Sequence, residues 1–226
     1  MPGGLKMNAY ENIKTRQTIR GFLPKPISRS MMQKIVEAAG NCPSYTNTQP
    51  WEMVVVSGEK KEELSKKLYK LAQIDAPISP DFPLPTGWPS EMENRTREHG
   101  ARRLNTLGIE RKDKVKREAL RLMNFEFYGA PCAVFLFMDG SLGSWSLFDM
   151  GLFAQNLVLA AHSQGVGSCI QASVTEYAAE IKEFFNIPKE KKLVACIAMG
   201  YPNPKARLNE YRSIKKKADE FFFWDE

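Results

Sequence analysis

The fold class that the sequence predicts is an α+β sandwich. Segments patterned as helices and as strands follow one another in mixed order. Residues 148–164 are apolar nearly all round, as a helix at the centre of a fold would be. The 226 residues suffice for one sizeable core and are short for two full domains.

Taken in order, Ser28 is a helix cap, and Met32, Ile35, Val36 and Ala39 make an apolar stripe over 29–39. Gly40, Asn41, Pro43 and Pro50 break helix over 40–51. Met53-Val54-Val55-Val56 reads as a strand ended by Ser57-Gly58, and a helix rich in lysine and glutamate follows at about 60–72. Five prolines (Pro77, Pro80, Pro83, Pro85, Pro89) forbid regular structure over 75–90, and two polar helices follow near 90–107 and 111–125. Functional loops concentrate in such irregular insertions, so this block is expected to cover a pocket rather than form a separate domain. Residues 133–138 look like a buried strand. After the apolar helix comes the Gly165-Val166-Gly167 turn, then a helix at about 174–185 and a last strand at 193–199. The tail over 200–226 is rich in cations and aromatics.

Composition narrows the function classes. Hydrophobic residues make up 43% and charged residues 26%, as in ordinary soluble proteins. No apolar run approaches the roughly 20 residues that span a bilayer. Met1-Pro2-Gly3-Gly4-Leu5-Lys6 lacks the apolar stretch of a secretion signal, so a cytoplasmic protein without membrane contact is expected. Cys42, Cys132, Cys169 and Cys196 stand far apart, which argues against a disulfide framework, and Cys132 and Cys196 sit in apolar runs as small core residues. With only His99 and His162 besides, a zinc site lacks material, and no metal is expected. The net charge is +6 and the pI about 9.1. Without a nucleic-acid motif, the lysine clusters read as solvated surface, with some cations left to serve an anionic cofactor.

Two strings carry chemistry. Arg16-Gln17-Thr18-Ile19-Arg20-Gly21-Phe22 places two guanidiniums four residues apart, with an amide and a hydroxyl between them. Such a group can fork onto a phosphate and hydrogen-bond a polar ring edge at once. Cys42-Pro43-Ser44-Tyr45-Thr46-Asn47-Thr48-Gln49-Pro50-Trp51 is a turn-rich segment dense in small hydrogen-bonding groups and closed by an aromatic. Blander readings stand beside these. Arg16 and Arg20 would be surface cations, Ser44 and Asn47 turn residues, and Trp51 core. His162 reads as a satisfied imidazole and His99 as an exposed one. Phe125, Phe127, Tyr128 and Trp88 either line a substrate site or pack.

With these strings, four further blocks resemble the FMN-dependent nitroreductase family, which includes iodotyrosine deiodinase. They are Asn124-Phe125-Glu126-Phe127-Tyr128-Gly129-Ala130-Pro131, Asp149-Met150-Gly151-Leu152-Phe153-Ala154-Gln155-Asn156, Cys169-Ile170-Gln171-Ala172 and Gly200-Tyr201-Pro202 with Asn209-Glu210-Tyr211-Arg212-Ser213-Ile214-Lys215. The resemblance is nearest to the nitrobenzene-type reductases and runs over almost the whole chain. It implies one domain over 1–226, with the helical and proline-rich block at about 75–125 covering the active site. The implied fold is a three-layer sandwich, a mixed and mostly antiparallel sheet flanked by helices, built as an intertwined homodimer with an FMN in each interface pocket.

By that resemblance Arg16, Gln17, Thr18 and Arg20 contact the flavin phosphate, ribityl chain and pyrimidine edge. Pro43, Ser44, Tyr45, Thr46 and Asn47, with Gln49 in the same string, reach it from the other subunit. Ile170, Gln171 and Ala172 run past the reactive N5, and Lys215 grips the phosphate beside Ser213, with Arg212 and Arg207 as alternative registers. No side-chain acid or base is required. NADH or NADPH is the reductant, in a ping-pong cycle, and a small nitroaromatic or quinone the oxidant. Ene reduction, reductive dehalogenation, flavin fragmentation or mere flavin binding remain alternatives on the same scaffold. The sequence departs from the family at Thr18, where serine is frequent, at Ile170, where proline is common, and at Lys215, where arginine is usual.

Overall fold

A computed structural model of the chain describes residues 8–225. Residues 1–6, read above for a secretion signal, lie outside the described residues.

The chain begins with α1 (Ala9–Thr15) and α2 (Arg29–Ala39), then β1 (Glu52–Ser57) and α3 (Gly58–Gln73). The irregular proline segment leads to α4 (Ser90–Leu107) and α5 (Lys114–Leu122). After β2 (Cys132–Asp139), α6 (Ser144–Ser163) and β3 (Gly167–Gln171) come α7 (Ala178–Phe185) and β4 (Lys191–Gly200). The Ser28 hydroxyl accepts the Met31 N–H at 3.1 Å and starts α2 where the sequence places it.

The four strands lie in the order β1-β2-β4-β3, and each ladder is antiparallel. The parallel element is the isolated bridge between Thr18 and Ser168. Alternation along β2 divides the core into two layers. Phe135 and Phe137 meet Leu64, Leu68, Phe125, Tyr177 and Ile181 on one side. Val134, Leu136 and Met138 meet Ile35, Met150, Phe153 and Leu157 on the other. A register shift opposite Leu136 and Phe137 flips the parity of β4, so Leu193 and Cys196 face the same layer. Helix, sheet and helix thus form three layers.

Four expectations need correction. The stretch 167–171 is a strand. It carries no long apolar run, and pairing with β4 forms it. The helix at 174 starts only at Ala178, because Ser173–Tyr177 tighten into a 3-10 turn. α5 spans only Lys114–Leu122, since Asp113 caps it and accepts the Lys116 N–H at 2.9 Å. α6, apolar all round, is not buried all round. One face covers the sheet, while Trp145, Leu147 and Phe148 stay exposed in the single chain. Among the described residues no helix is long and apolar enough to cross a membrane.

Candidate functional site

Residues 16–23 leave α1 as an extended strap along β3. The Ile19 N–H donates to the Ser168 carbonyl at 2.9 Å, and the buried Ile19 side chain closes over Gly167, where a Cβ would lie 2.8 Å from Ile19 Cγ1. Alternation then turns Thr18 and Arg20 away from that contact. The C-terminal tail clamps the strap from outside. Asn209 Oδ1 accepts the Arg20 N–H at 2.8 Å, while Asn209 Nδ2 donates to the Gly21 carbonyl at 2.8 Å. The Leu23 N–H donates to the Tyr201 carbonyl and the Asn203 N–H to the Gly21 carbonyl.

Between strap and tail lies a cavity of about 160 Å³. Arg16, Gln17, Thr18 and Arg20 line it from the strap, Lys14 from α1, His99 from α4, and Tyr211, Arg212, Ser213 and Lys215 from the tail. Five of these side chains are cations, and none is a carboxylate. Gln17 Oε1 and Arg20 Nε are buried without a hydrogen-bond partner among the described residues, as is Arg103 Nη2 on the same helix as His99. A buried polar atom left unmade costs about 1–3 kcal/mol. An anionic ligand with its own donors and acceptors relieves that cost, so these residues fit a phosphate joined to a polar ring.

Burial first, and then the charges of Arg20, Arg103, Lys215 and Arg102, hold the His99 imidazole below its ordinary range. Its Nδ1 lies 2.9 Å from the Tyr211 hydroxyl. Burial pushes the Cys169 thiol up, against the pull of Arg20 and Arg103, so it is no thiolate nucleophile. The Arg20 guanidinium also sits over the Tyr128 ring at 5.8 Å.

The structure therefore brings Arg16, Gln17, Thr18, Arg20, Ser213 and Lys215 to one cavity, and Arg212 with them. Arg207 is engaged elsewhere, donating to the Thr106 carbonyl at 2.9 Å. Pro43, Ser44, Tyr45, Thr46, Asn47 and Gln49 do not line this cavity. They form a separate loop, in which Ser44 Oγ accepts the Gln49 N–H at 3.0 Å and Thr46, Asn47 and Gln49 take left-handed backbone. The Tyr45 ring stacks on Trp145 at 5.8 Å. Ile170 is exposed and Ala172 follows the end of β3, both outside the cavity. The Gln171 side chain is turned inward, its amide donating to the Asn124 carbonyl at 2.8 Å, so only its backbone can face a ligand. Phe125 and Phe127 are fully buried, and packing is their role. His162 meets Thr15 Oγ1 at 3.0 Å. Sequence reasoning missed Lys14, His99, Tyr211 and Arg103. The four-residue spacing of His99 and Arg103 on one face of α4 was one signal, and the place of Tyr211 within the tail block was another.

The carboxylate-free cationic cavity on this three-layer α+β sandwich suits a phosphorylated small molecule. Residues 13–201 match the Nitroreductase family. The chain is 32% identical to the 4-nitrobenzoate reductase of Pseudomonas putida over 92% of each chain. It also superposes on the FMN-dependent nitroreductase NfnB from Mycobacterium smegmatis in complex with NADPH, with a TM-score of 0.92 and 30% identity over 96% of this chain and 98% of that one. The FMN and NADPH-dependent NfnB of a Sphigopyxis strain gives the same TM-score at 26% identity, over 97% of this chain and 99% of that one. The chain belongs to the nitroreductase family.

Proposed function

We propose that this protein is an FMN-dependent NAD(P)H oxidoreductase that reduces nitroaromatics, with quinones as further acceptors. The observation that carries the proposal is the cationic cavity with its unpartnered atoms on Gln17 and Arg20. Arg16, Lys14, Arg212 and Lys215 hold the phosphate, with the Ser213 hydroxyl as a further donor. Thr18 and Gln17 supply hydrogen bonds along the ribityl chain. Arg20, its backbone fixed by Asn209 and its guanidinium resting on Tyr128, stands at the pyrimidine edge and stabilises negative charge there. FMN held there would supply the two-electron hydride chemistry between NAD(P)H and the oxidant. Hydride transfer needs no side-chain acid or base, and no carboxylate lines the cavity.

The active form is a homodimer in which residues 43–47 of a second copy, with Gln49, complete the flavin site. The exposed aromatic cluster of Tyr45, Trp145 and Phe148 supports this, as do the exposed Phe221, Phe222, Phe223 and Trp224 of the tail. Backbone of Ile170, Gln171 and Ala172 flanks the ring, and the block over 75–125 covers the site through His99 and Arg103.

The test is the visible spectrum of the purified protein, followed by anaerobic NADH or NADPH. Bleaching of a flavin band and its recovery with a nitroarene support the proposal. A colourless monomer indifferent to added FMN overturns it.

A further inference from the structure

Between α4 and α5 runs a groove that shares no lining residue with the flavin cavity. Two contiguous hollows of about 280 and 260 Å³ share Gly100, Leu104 and Arg117. No residue of α4 is fully buried, and Gly100, Arg103 and Leu104 are half-buried along the groove. Five arginines reach the groove, against the single carboxylate of Glu93. Two of them are engaged: Arg97 donates to Asn94 Oδ1 at 2.6 Å, and Arg121 pairs with Glu118 at 2.7 Å.

The other three carry charge that no carboxylate answers. Arg117 donates only to the Arg111 carbonyl, at 3.1 Å. The Arg111 side chain has no hydrogen bond or ion pair among the described residues, and Arg103 Nη2 is buried without a partner. All of these cations are arginines, the side chain that forks onto phosphate and lies flat against a base.

The floor is as telling as the walls. Gly100 sits in mid-helix, where glycine is a poor choice. A Cβ there would meet nothing within 4 Å, so packing does not demand it. What glycine does there is leave space beside Ala101, Leu104 and Leu120, an apolar bed for a ring. At the inner end of the groove Arg103 stands one helical turn from His99, which lines the flavin cavity. From Arg103 to Arg97 the helix rises about 9 Å, room for a nucleoside with a phosphate at each end.

We propose that the α4–α5 groove seats the adenosine 2′,5′-bisphosphate end of NADPH. Arg111 and Arg117 fork the 2′-phosphate, the adenine lies over Gly100 and Leu104, and the pyrophosphate turns toward Arg103. The identity of the nucleotide rests on the function proposed above, and NADPH is then preferred over NADH.

Calorimetric titration of the FMN-saturated protein with adenosine 2′,5′-bisphosphate tests this, with 5′-AMP and inorganic phosphate as comparators. The bisphosphate is expected to bind about tenfold tighter than 5′-AMP. Arg111→Gln with Arg117→Gln abolishes that advantage and raises KM for NADPH about tenfold at unchanged kcat. Gly100→Leu blocks the bed while keeping the fold, since leucine is the better helix former. Absent binding, equal affinity for 5′-AMP, equally strong competition by inorganic phosphate, or binding indifferent to both variants overturns the proposal. An active flavoprotein with such indifference removes the groove alone. A protein without flavin removes the function instead, and the calorimetry still decides the groove.

Discussion

The carboxylate of Asp149, buried in α6, accepts the backbone N–H of Tyr45 at 3.1 Å. This bond ties the 44–49 loop to the central helix just before three residues that adopt left-handed backbone without being glycine. Asp149→Ala should cost about 1–3 kcal/mol, because the N–H loses its acceptor and the loop its anchor. Asp149→Asn keeps an oxygen there and should cost less. Urea denaturation and FMN titration of both variants check this, and equal losses would show that the contact to Tyr45 is not what matters.

Arg16 stands at the end of α1 with its side chain in the cavity. Arg16→Ala should weaken FMN binding about 10- to 100-fold, the worth of one charge-assisted phosphate contact. Arg16→Lys should fall between, keeping charge but losing the fork. Flavin fluorescence titration of the apoprotein gives the affinities. An alanine variant that purifies fully loaded would exclude Arg16 from the phosphate site.

Locality decided what could be read from the sequence. The span of α2 follows from Ser28 and an apolar stripe, signals that lie within one helix. β3 was illegible, because Gly167-Ser168-Cys169-Ile170-Gln171 becomes a strand only through its register with β4. The cavity divides in the same way. Arg16, Gln17, Thr18 and Arg20 announce themselves as a dense string, and the tail motif holds Ser213 and Lys215. His99 and Tyr211 meet across 112 positions, and no spacing rule reaches that far.

The two histidines set an acid limit. Burial, then Arg20, Arg103, Lys215 and Arg102, keep His99 below its usual range, and burial, then Arg16 and Arg212, do so for His162. In the unfolded chain both protonate near pH 6.5, so the unfolded state takes up protons that the folded state refuses. Apoprotein stability should therefore fall as pH drops from about 7 toward 5. Glu176, which burial raises, works in the opposite sense, so the comparison must be with His99→Gln/His162→Gln. That variant should show a flatter profile in urea midpoints, and an unchanged slope would refute the assignment.

Gly21 passes so close beneath the tail that a Cβ there would run into the Ala206 side chain. Gly21→Ala should destabilise the protein by about 1–3 kcal/mol, the range for overpacking. FMN affinity should fall with it, since Arg20 rides on the same strap. Ala206→Gly in the Gly21→Ala background should restore both, measured by thermal unfolding and FMN titration. Failure of that rescue would mean that the clash with Ala206 is not the cause.

The tail cations should divide by their contacts. Arg207 donates to the Thr106 carbonyl in the last turn of α4, where a cation also suits the helix dipole. Lys216 pairs with Glu91 at 3.0 Å, at the other end of the same helix. These two fasten α4, whereas Arg212 and Lys215 line the cavity. Arg212→Ala and Lys215→Ala should each weaken FMN binding about tenfold, and increasingly so at low ionic strength, where screening is least. Arg207→Ala should leave FMN affinity nearly intact and instead hasten amide exchange along α4. Lys215→Arg should tighten binding, because the fork adds a second hydrogen bond that an ammonium cannot align. If Arg207→Ala proves the most damaging to FMN affinity, the phosphate is gripped from the other register of the tail.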